Sequence, residues 1–242
     1  MKLSNSIFRF LSHTGPLCRG EEVLITNWIK GEEKGALLYC VVLIAVGCSA
    51  YGFSIGVHNG WEMAANVSGK LPAIILLTLS VSVLFCGALS SFMRSGIGFL
   101  ANLKFLLIGF AIMGLILGSL SPISFFASIA APSPGSPGSH TIHSAIPILH
   151  TLFIVSAGVQ AHACLLKSVR SLAATPSAGN RVFYTWIACN LMIGAPVFWV
   201  LHPDSLRAGS FIQSSFPAIS LNPFTAQFSD FFSNMLTSNP LI

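Results

Sequence analysis

Charged side chains are scarce in this sequence. Asp, Glu, Lys and Arg make up 8% of its 242 residues, whereas soluble domains carry about 25%. The twelve basic residues are scattered and form no run of the kind that binds nucleic acid. The composition therefore excludes an ordinary soluble domain and predicts no nucleic-acid partner.

Residues arranged for catalysis are also missing. No aspartate lies inside a long apolar block, and no glycine-rich segment has the form of a phosphate-binding loop. Most of the six cysteines lie inside apolar blocks, where cysteine behaves as a small apolar residue. We predict no catalytic residues, no cofactor and no bound metal.

Apolar residues dominate what is present. They make up 53% of the chain, the mean hydropathy is +0.78, and they form blocks of about twenty residues, the length that crosses a bilayer. These blocks predict an all-α membrane protein, a bundle of about five transmembrane helices. The predicted spans are residues 36–57, 71–93, 97–131, 144–166 and 182–201.

Proline and glycine mark the expected breaks. Pro72 falls in the first turn of the second predicted span, where its missing amide donor is harmless. Pro122 is expected to kink or end the third span, and residues 132–140 (PSPGSPGSH) predict a loop. The first long apolar block begins near residue 36, so we expect no cleaved signal peptide.

The positions of Lys and Arg predict the orientation, because positively charged loops stay in the cytoplasm. With five spans and a cytoplasmic N-terminus, ten of the twelve basic residues fall on the cytoplasmic side, and only Lys70 and Arg207 fall on the other. We therefore predict a cytoplasmic N-terminal segment (1–35) and a membrane domain (36–201). The tail (202–242) is predicted to be interfacial or on the non-cytoplasmic side.

The segment just before the first span is amphipathic. Residues 21–34 (EEVLITNWIKGEEK) place apolar side chains among acidic and basic ones. This pattern is typical of an interfacial helix. A soluble juxtamembrane helix fits it equally well.

Four short segments together resemble a family of bacterial multi-pass membrane proteins that has no assigned function. The segments are residues 50–52 (AYG), 70–73 (KLPA), 119–126 (SLSPISFF) and 199–203 (WVLHP). That family is similar in pattern to the Yip-type (Rab-interacting) membrane proteins and often carries an actin-binding label. The resemblance covers roughly residues 36–210.

The resemblance implies a Yip-like helical bundle with a cytoplasmic N-terminal segment and no known enzyme activity. It also implies a bacterial cytoplasmic membrane as the location. Members of the family usually have arginine where this chain has His202. The chain therefore lacks the guanidinium that could contact an anion at that position.

Polar side chains inside the spans are candidates for function, because they are costly in lipid. The candidates are Asn102, Lys104, His150, Gln160, His162 and Asn190. His150 and His162 are twelve residues apart, which on a helix separates them by about 120° and about 18 Å, so they cannot share a metal ion. A proton relay through this span is one interpretation, and neutral histidines hydrogen-bonded to neighbouring helices are the favoured one.

Histidines also gather on the predicted outer side. His58, His140, His143 and His202 lie in or beside the outer loops. Imidazole suits zinc or copper, but only one pair is close in sequence, so no metal site is predicted there.

Two glycine pairs predict close helix packing. Gly52 and Gly56 lie in the first span, and Gly114 and Gly118 lie in the third, each pair with small-xxx-small spacing. We favour packing within one chain over packing between chains.

The absence of a catalytic pattern favours a non-enzymatic membrane protein. We predict a structural or assembly subunit of a membrane complex in the bacterial inner membrane, with lipid and other membrane protein subunits as its partners. The alternative is a small transporter or channel with a polar path between spans three, four and five. An enzyme of lipid or metal chemistry is a third hypothesis.

Overall fold

The structure is a computed structural model that describes residues 12–31, 35–93, 95–131 and 139–200. Within these ranges the chain is helical and contains no strand, which confirms the all-α prediction for the part described. Residues 132–138 of the predicted loop and the predicted tail lie outside the described residues, whereas residues 139 and 140, the last two of the predicted loop, are already helical.

Seven α-helices form within the described ranges. They are α1 (Thr14–Cys18), α2 (Glu22–Lys30), α3 (Ala36–Gly56), α4 (Trp61–Phe92), α5 (Phe99–Ala130), α6 (Ser139–Leu172) and α7 (Pro176–Val200), and a short 3₁₀ turn (Val57–Asn59) joins α3 to α4.

Four of these helices can cross a membrane. Helices α3, α4, α5 and the Leu149–Leu172 part of α6 are long and apolar enough to span hydrocarbon. The chain is therefore a multi-pass membrane protein. The fifth predicted span falls on α7, which is not among these four; its first two turns contain Asn180 and Arg181.

Helix α4 is longer than the span predicted within it. It begins at Trp61, directly after Gly60 (φ 107°), and Pro72 therefore lies inside the helix and not in its first turn. Its 32 residues measure about 48 Å along the axis, whereas the hydrocarbon core is about 30 Å thick. Hydropathy marks the apolar stretch only, and the helix extends beyond it.

Helix α5 continues past Pro122 to Ala130, so the third span does not end at that proline. A proline has no N–H to donate to the carbonyl four residues earlier, which here belongs to Gly118. The Ser121 hydroxyl donates to that carbonyl at 2.8 Å. A neighbouring side chain thus satisfies the acceptor that proline would leave unpaired in lipid.

Helix α3 packs closely on α4 and α5 through glycines. A Cβ atom at Gly47 would overlap the backbone carbonyl of Gly114, and one at Gly118 would lie 3.0 Å from the Gly47 Cα. On the other side of α3, a Cβ at Gly52 would lie 2.7 Å from the Val67 carbonyl oxygen. The helix backbones approach so closely because these positions carry no side chain.

The same holds at the far end of α3, where a Cβ at Gly56 would lie 2.5 Å from the Ala64 Cα. All four glycines singled out in the sequence therefore lie at helix contacts within the chain. Gly47, which the sequence analysis did not name, makes the closest approach of all.

The two N-terminal helices pack against one end of the bundle. Leu17, Ile25 and Trp28 are buried there, and α2 contacts α5 and α6. We call the half of the bundle that contacts α1 and α2 the proximal half, and the opposite half the distal half.

Candidate functional site

A buried polar cluster joins three helices in the distal half. Tyr51 of α3, Ser124 of α5 and His150 of α6 meet at the His150 ring: the Tyr51 hydroxyl lies 3.1 Å from Nδ1 and the Ser124 hydroxyl lies 3.3 Å from the same atom. The Tyr51 hydroxyl also lies 3.4 Å from the His150 carbonyl oxygen. Tyr51 and Ser124 are fully buried, and His150 is 7% exposed. We call these three residues the distal cluster.

The second ring nitrogen of His150 is buried and has no hydrogen-bond partner among the described residues. If Nδ1 carries the proton, it donates to a hydroxyl oxygen, the Tyr51 hydroxyl donates to the carbonyl, and Nε2 is an unpaired acceptor. If Nε2 carries the proton, it is an unpaired donor. In either tautomer only Nδ1 of the ring is hydrogen-bonded to the described residues.

A second histidine contacts α5 one turn further along. The His58 Nδ1 lies 3.4 Å from the Ser128 carbonyl oxygen, and Ser128 follows Ser124 by four residues, so the two contacts lie about 6 Å apart along the helix axis. The Ser128 hydroxyl is buried without a partner among the described residues. Two histidines from different elements thus flank one stripe of α5.

The Ser124–His150 pair has the residue types of a nucleophile and its base. The Ser124 hydroxyl is fully buried, and the same ring nitrogen also contacts Tyr51. No substrate carbonyl can reach a hydroxyl enclosed in this way. The geometry therefore favours a role in fixing three helices against one another, since interhelical hydrogen bonds in lipid hold helices together.

Lys104 occupies a different place from the one expected of a residue in a polar path. It is 9% exposed, and its ammonium donates a 2.7 Å hydrogen bond to the Ile29 carbonyl at the C-terminal end of α2. That end of a helix has unpaired carbonyls and a negative partial charge. Lys104 therefore anchors the N-terminal helices to α5.

A cysteine contact adds to this docking. The Cys164 thiol of α6 lies 3.4 Å from the Cys18 carbonyl oxygen, and Gly20 (φ 64°) approaches Cys164 so closely that a Cβ would lie 2.8 Å from its Cα. Burial raises the pKa of the Cys18 thiol above its ordinary value. Cys18 is therefore protonated and poorly nucleophilic at neutral pH.

Asn102 lies in the proximal half of α5 and is fully buried. Neither its amide nitrogen nor its amide oxygen has a hydrogen-bond partner among the described residues. Its neighbour is α4, where a Cβ at Gly87 would lie 3.6 Å from the Asn102 Nδ2.

His162 and Asn190 are brought together at a small cavity between α5, α6 and α7. The cavity has a volume of about 30 Å³, enough for about one water molecule. The His162 Nδ1 lies 2.7 Å from the Gly158 carbonyl oxygen of its own helix, and its ring packs edge-on against Phe183. The Asn190 Oδ1 is buried without a partner among the described residues.

Gln160 lies on the exposed face of α6. The six polar candidates therefore lie in five places: the distal cluster, the α2 anchor, the buried position of Asn102 beside α4, the small cavity and the outer face of α6. Of the six, only His162 and Asn190 line one cavity.

A groove of about 450 Å³ opens on the surface of the distal half between α3, α4 and α5. Its lining contains four serines and three phenylalanines. The residues are Ser49, Ala50, Phe53, Ser54, Ser68, Ser121, Pro122, Phe125 and Phe126. The hydroxyls of Ser54 and Ser121 donate to carbonyls of their own helices, whereas those of Ser49 and Ser68 have no partner among the described residues.

Metal ligands do not converge in the part of the chain that the structure describes, where no group of three or more His, Cys, Asp or Glu could hold an ion. The side chains of His140 and His143, and the whole of His202, lie outside that part.

Tyr51, Ser124 and Gly47 are the residues that sequence reasoning did not select. Tyr51 and Ser124 fall within two of the segments that carry the family resemblance, but nothing in the sequence indicates that they meet. Their partner His150 is 99 residues from Tyr51. A contact over that separation has no local signal.

Comparison with known proteins finds no family model, no curated protein and no solved structure that matches this chain.

Proposed function

We propose that this protein is a non-enzymatic membrane subunit that assembles with other membrane proteins through the groove of its distal half. The observation that carries the proposal is the groove itself, in which the Ser49 hydroxyl, within the first span, has no partner among the described residues. Lipid chains offer no hydrogen-bond partner, and exposed polar groups in hydrocarbon are costly.

A transmembrane helix of another protein is the occupant that fits this groove. The walls are built largely from small residues, which let helix backbones approach closely. Serine hydroxyls then bond across the interface to backbone or side-chain groups of the incoming helix. The phenylalanines Phe53 and Phe125, stacked with centroids 6.4 Å apart, provide an apolar wall for its side chains.

The placement of the intramembrane polar groups also supports a structural role. Lys104 is engaged by the α2 carbonyl and His150 by two hydroxyls. These interactions hold the bundle together and leave the two side chains unavailable to a moving substrate.

The test is to fill the groove. Ser68→Trp places a bulky side chain in it, and Ser80→Trp adds the same side chain at an exposed serine of the same helix. We expect proteins that copurify with the native chain to be lost from S68W and retained by S80W, as measured by mass spectrometry after mild detergent extraction. Retention of every partner by S68W would contradict the groove as the assembly site.

The topology belongs to the same proposal. We propose five spans, with α7 as the fifth, and a cytoplasmic N-terminus. We also propose a bacterial inner membrane as the location and keep the Yip-like family as a hypothesis. Support comes from Lys30, Lys104, Lys167, Arg170 and Arg181, which all lie toward the proximal end. Reporter fusions after residues 31 and 201 test it, because five spans require opposite sides.

A transporter is the second candidate, favoured by the cavity that His162 and Asn190 share between α5, α6 and α7. Its test is flux into vesicles containing the purified protein. A flux that falls sharply in His162→Ala and is kept in His150→Ala would favour transport. If vesicles containing the protein were no more permeable than protein-free vesicles, the transporter hypothesis would be ruled out.

A further inference from the structure

Helix α6 is the least enclosed of the four candidate spans. Of its most apolar stretch, 28% is buried inside the bundle, against 39%, 44% and 50% for the other three spans. It is also the span that contains His150, Gln160 and His162. A helix with more polar groups and less cover than its neighbours is not suited to face lipid on its open side.

One face of α6 is exposed along much of its length. The face consists of Leu152, Val155, Ser156, Val159, Gln160 and Ala163, which alternate at spacings of three and one. This is the spacing of one side of a helix. The Ser156 hydroxyl already donates to the Phe153 carbonyl at 2.9 Å.

Gln160 is the polar group on this face that remains unsatisfied. It lies within Leu149–Leu172, the part of the helix that is long and apolar enough to cross hydrocarbon, and two turns before Lys167. Its amide has two N–H donors and a carbonyl acceptor and no hydrogen-bond partner among the described residues. In hydrocarbon such an amide is satisfied only by another protein group.

A primary amide is complementary to itself, because it donates and accepts at the same time. Around a two-fold axis parallel to the membrane normal, identical residues of two copies face each other at the same depth. Two Gln160 side chains placed in this way donate to each other's carbonyls. Ser156 and Ala163, one turn to either side, are small enough to let the two helices approach.

We propose that this face of α6 is the interface of a homodimer, held at its centre by a mutual hydrogen bond between the two Gln160 amides. The interface ends toward the proximal side before Lys167, which is exposed two turns beyond Gln160. There the two ammonium groups reach the headgroup region along their aliphatic stems. The dimer does not depend on the proposed function, because the groove lies on α3, α4 and α5.

The test measures association in a bilayer. Full-length protein with donor or acceptor fluorescent tags is reconstituted in phosphatidylcholine vesicles, and energy transfer is followed as the protein is diluted with lipid. Gln160→Leu removes the amide, and Ser80→Ala removes a hydroxyl from the exposed side of α4 as the matched control. We expect dimerisation to weaken by about ten-fold or more in Q160L and by less than about two-fold in S80A.

A second measurement does not depend on how well Q160L folds. A photo-crosslinking amino acid at Val159, beside an intact Gln160, is expected to give an adduct with twice the mass of the chain. The same amino acid at Leu84 on α4 is the control and is expected to give no adduct. Both positions are more than 60% exposed.

Three results would overturn the proposal. They are energy transfer unchanged in Q160L, a chain that is monomeric at every dilution, and Val159 crosslinks only to a different protein. If S68W lost its copurifying proteins and still dimerised, the groove and the dimer interface would be shown to act independently of each other.

Discussion

The two halves of the bundle handle polar groups in different ways. In the proximal half one buried ammonium, that of Lys104, is engaged by the end of α2, and apolar side chains such as Trp28 surround the docked helices. In the distal half two hydroxyls and one imidazole, from three helices, meet in a buried cluster, and a serine-lined groove opens beside it.

The difference indicates where partners bind. The proximal half uses its polar contacts to attach the chain's own N-terminal helices. Some polar side chains in each half have no partner among the described residues. In the proximal half Asn102 is such a residue and is fully buried, whereas in the distal half the hydroxyls of Ser49 and Ser68 line an open groove. Groups of this kind in a membrane favour association with another protein.

The largest effect is expected at the glycine contact on which both halves depend. Gly47→Ala places a Cβ on the Gly114 carbonyl and forces α3 and α5 apart. We expect a loss of about 3 kcal/mol in the free energy of unfolding, measured by denaturant titration in detergent micelles. Gly69→Ala is the control, since its Cβ would meet nothing within 4 Å. Equal stability of the two variants would contradict the close contact.

A smaller effect is expected at the proximal anchor. Lys104→Met removes the ammonium bonded to Ile29, and a hydrogen bond from a charged group contributes about 2 kcal/mol. We expect amide hydrogen exchange in α2 to accelerate by more than about ten-fold. Lys70→Met removes an equally buried lysine near the distal end of α4 and is expected to leave α2 unchanged. Faster exchange in both variants, or in neither, would show that the anchor is not local.

The distal cluster gives a more modest prediction. Tyr51→Phe deletes the hydroxyl that contacts His150 and keeps the ring, which costs about 1 kcal/mol of unfolding free energy. Tyr184→Phe deletes a hydroxyl from a side chain that is 63% exposed, and we expect no measurable change there. If the two variants unfolded at the same temperature in micelles, the cluster would have no role in holding the helices together.

The smallest effect concerns Cys18 in α1. Because burial raises the pKa of its thiol, we expect maleimide labelling of the folded protein to be slower at pH 7.5 than labelling of the unfolded chain, and its rate to rise at higher pH. The stability that this shift contributes is fully present below the pKa that Cys18 has in the unfolded chain. It is lost as the pH rises through the pKa of Cys18 in the folded protein. Peptide mapping by mass spectrometry follows the reaction, and equal rates in both states would contradict the docking of α1.

The elements that depend on local composition could be predicted. The first span was expected at 36–57 and the helix occupies Ala36–Gly56, because hydropathy and helix coincide where turns bound the apolar block. The start of α4 was misplaced because residues 61–70 are helical without being uniformly apolar. Pro122 does not end the third span, and a hydroxyl one residue away satisfies the carbonyl that it frees.

The candidate site could be predicted only as a set of residue types. His150 and Lys104 were selected because polar groups in a span are unusual, but their partners, Tyr51 and Ile29, are 99 and 75 residues away in sequence. Which helix faces which is decided by packing of small residues such as Gly47 on Gly114. A single sequence has no pattern from which that pairing can be derived.

The central claim, assembly with other membrane proteins, is tested most directly by the mass of the native complex. The protein is extracted from its own membrane in a mild detergent and weighed intact by native mass spectrometry. We predict other subunits in a fixed ratio, so that the mass is not a whole multiple of the 25.7 kDa chain. A mass equal to one chain, or to whole multiples of it alone, would contradict the claim.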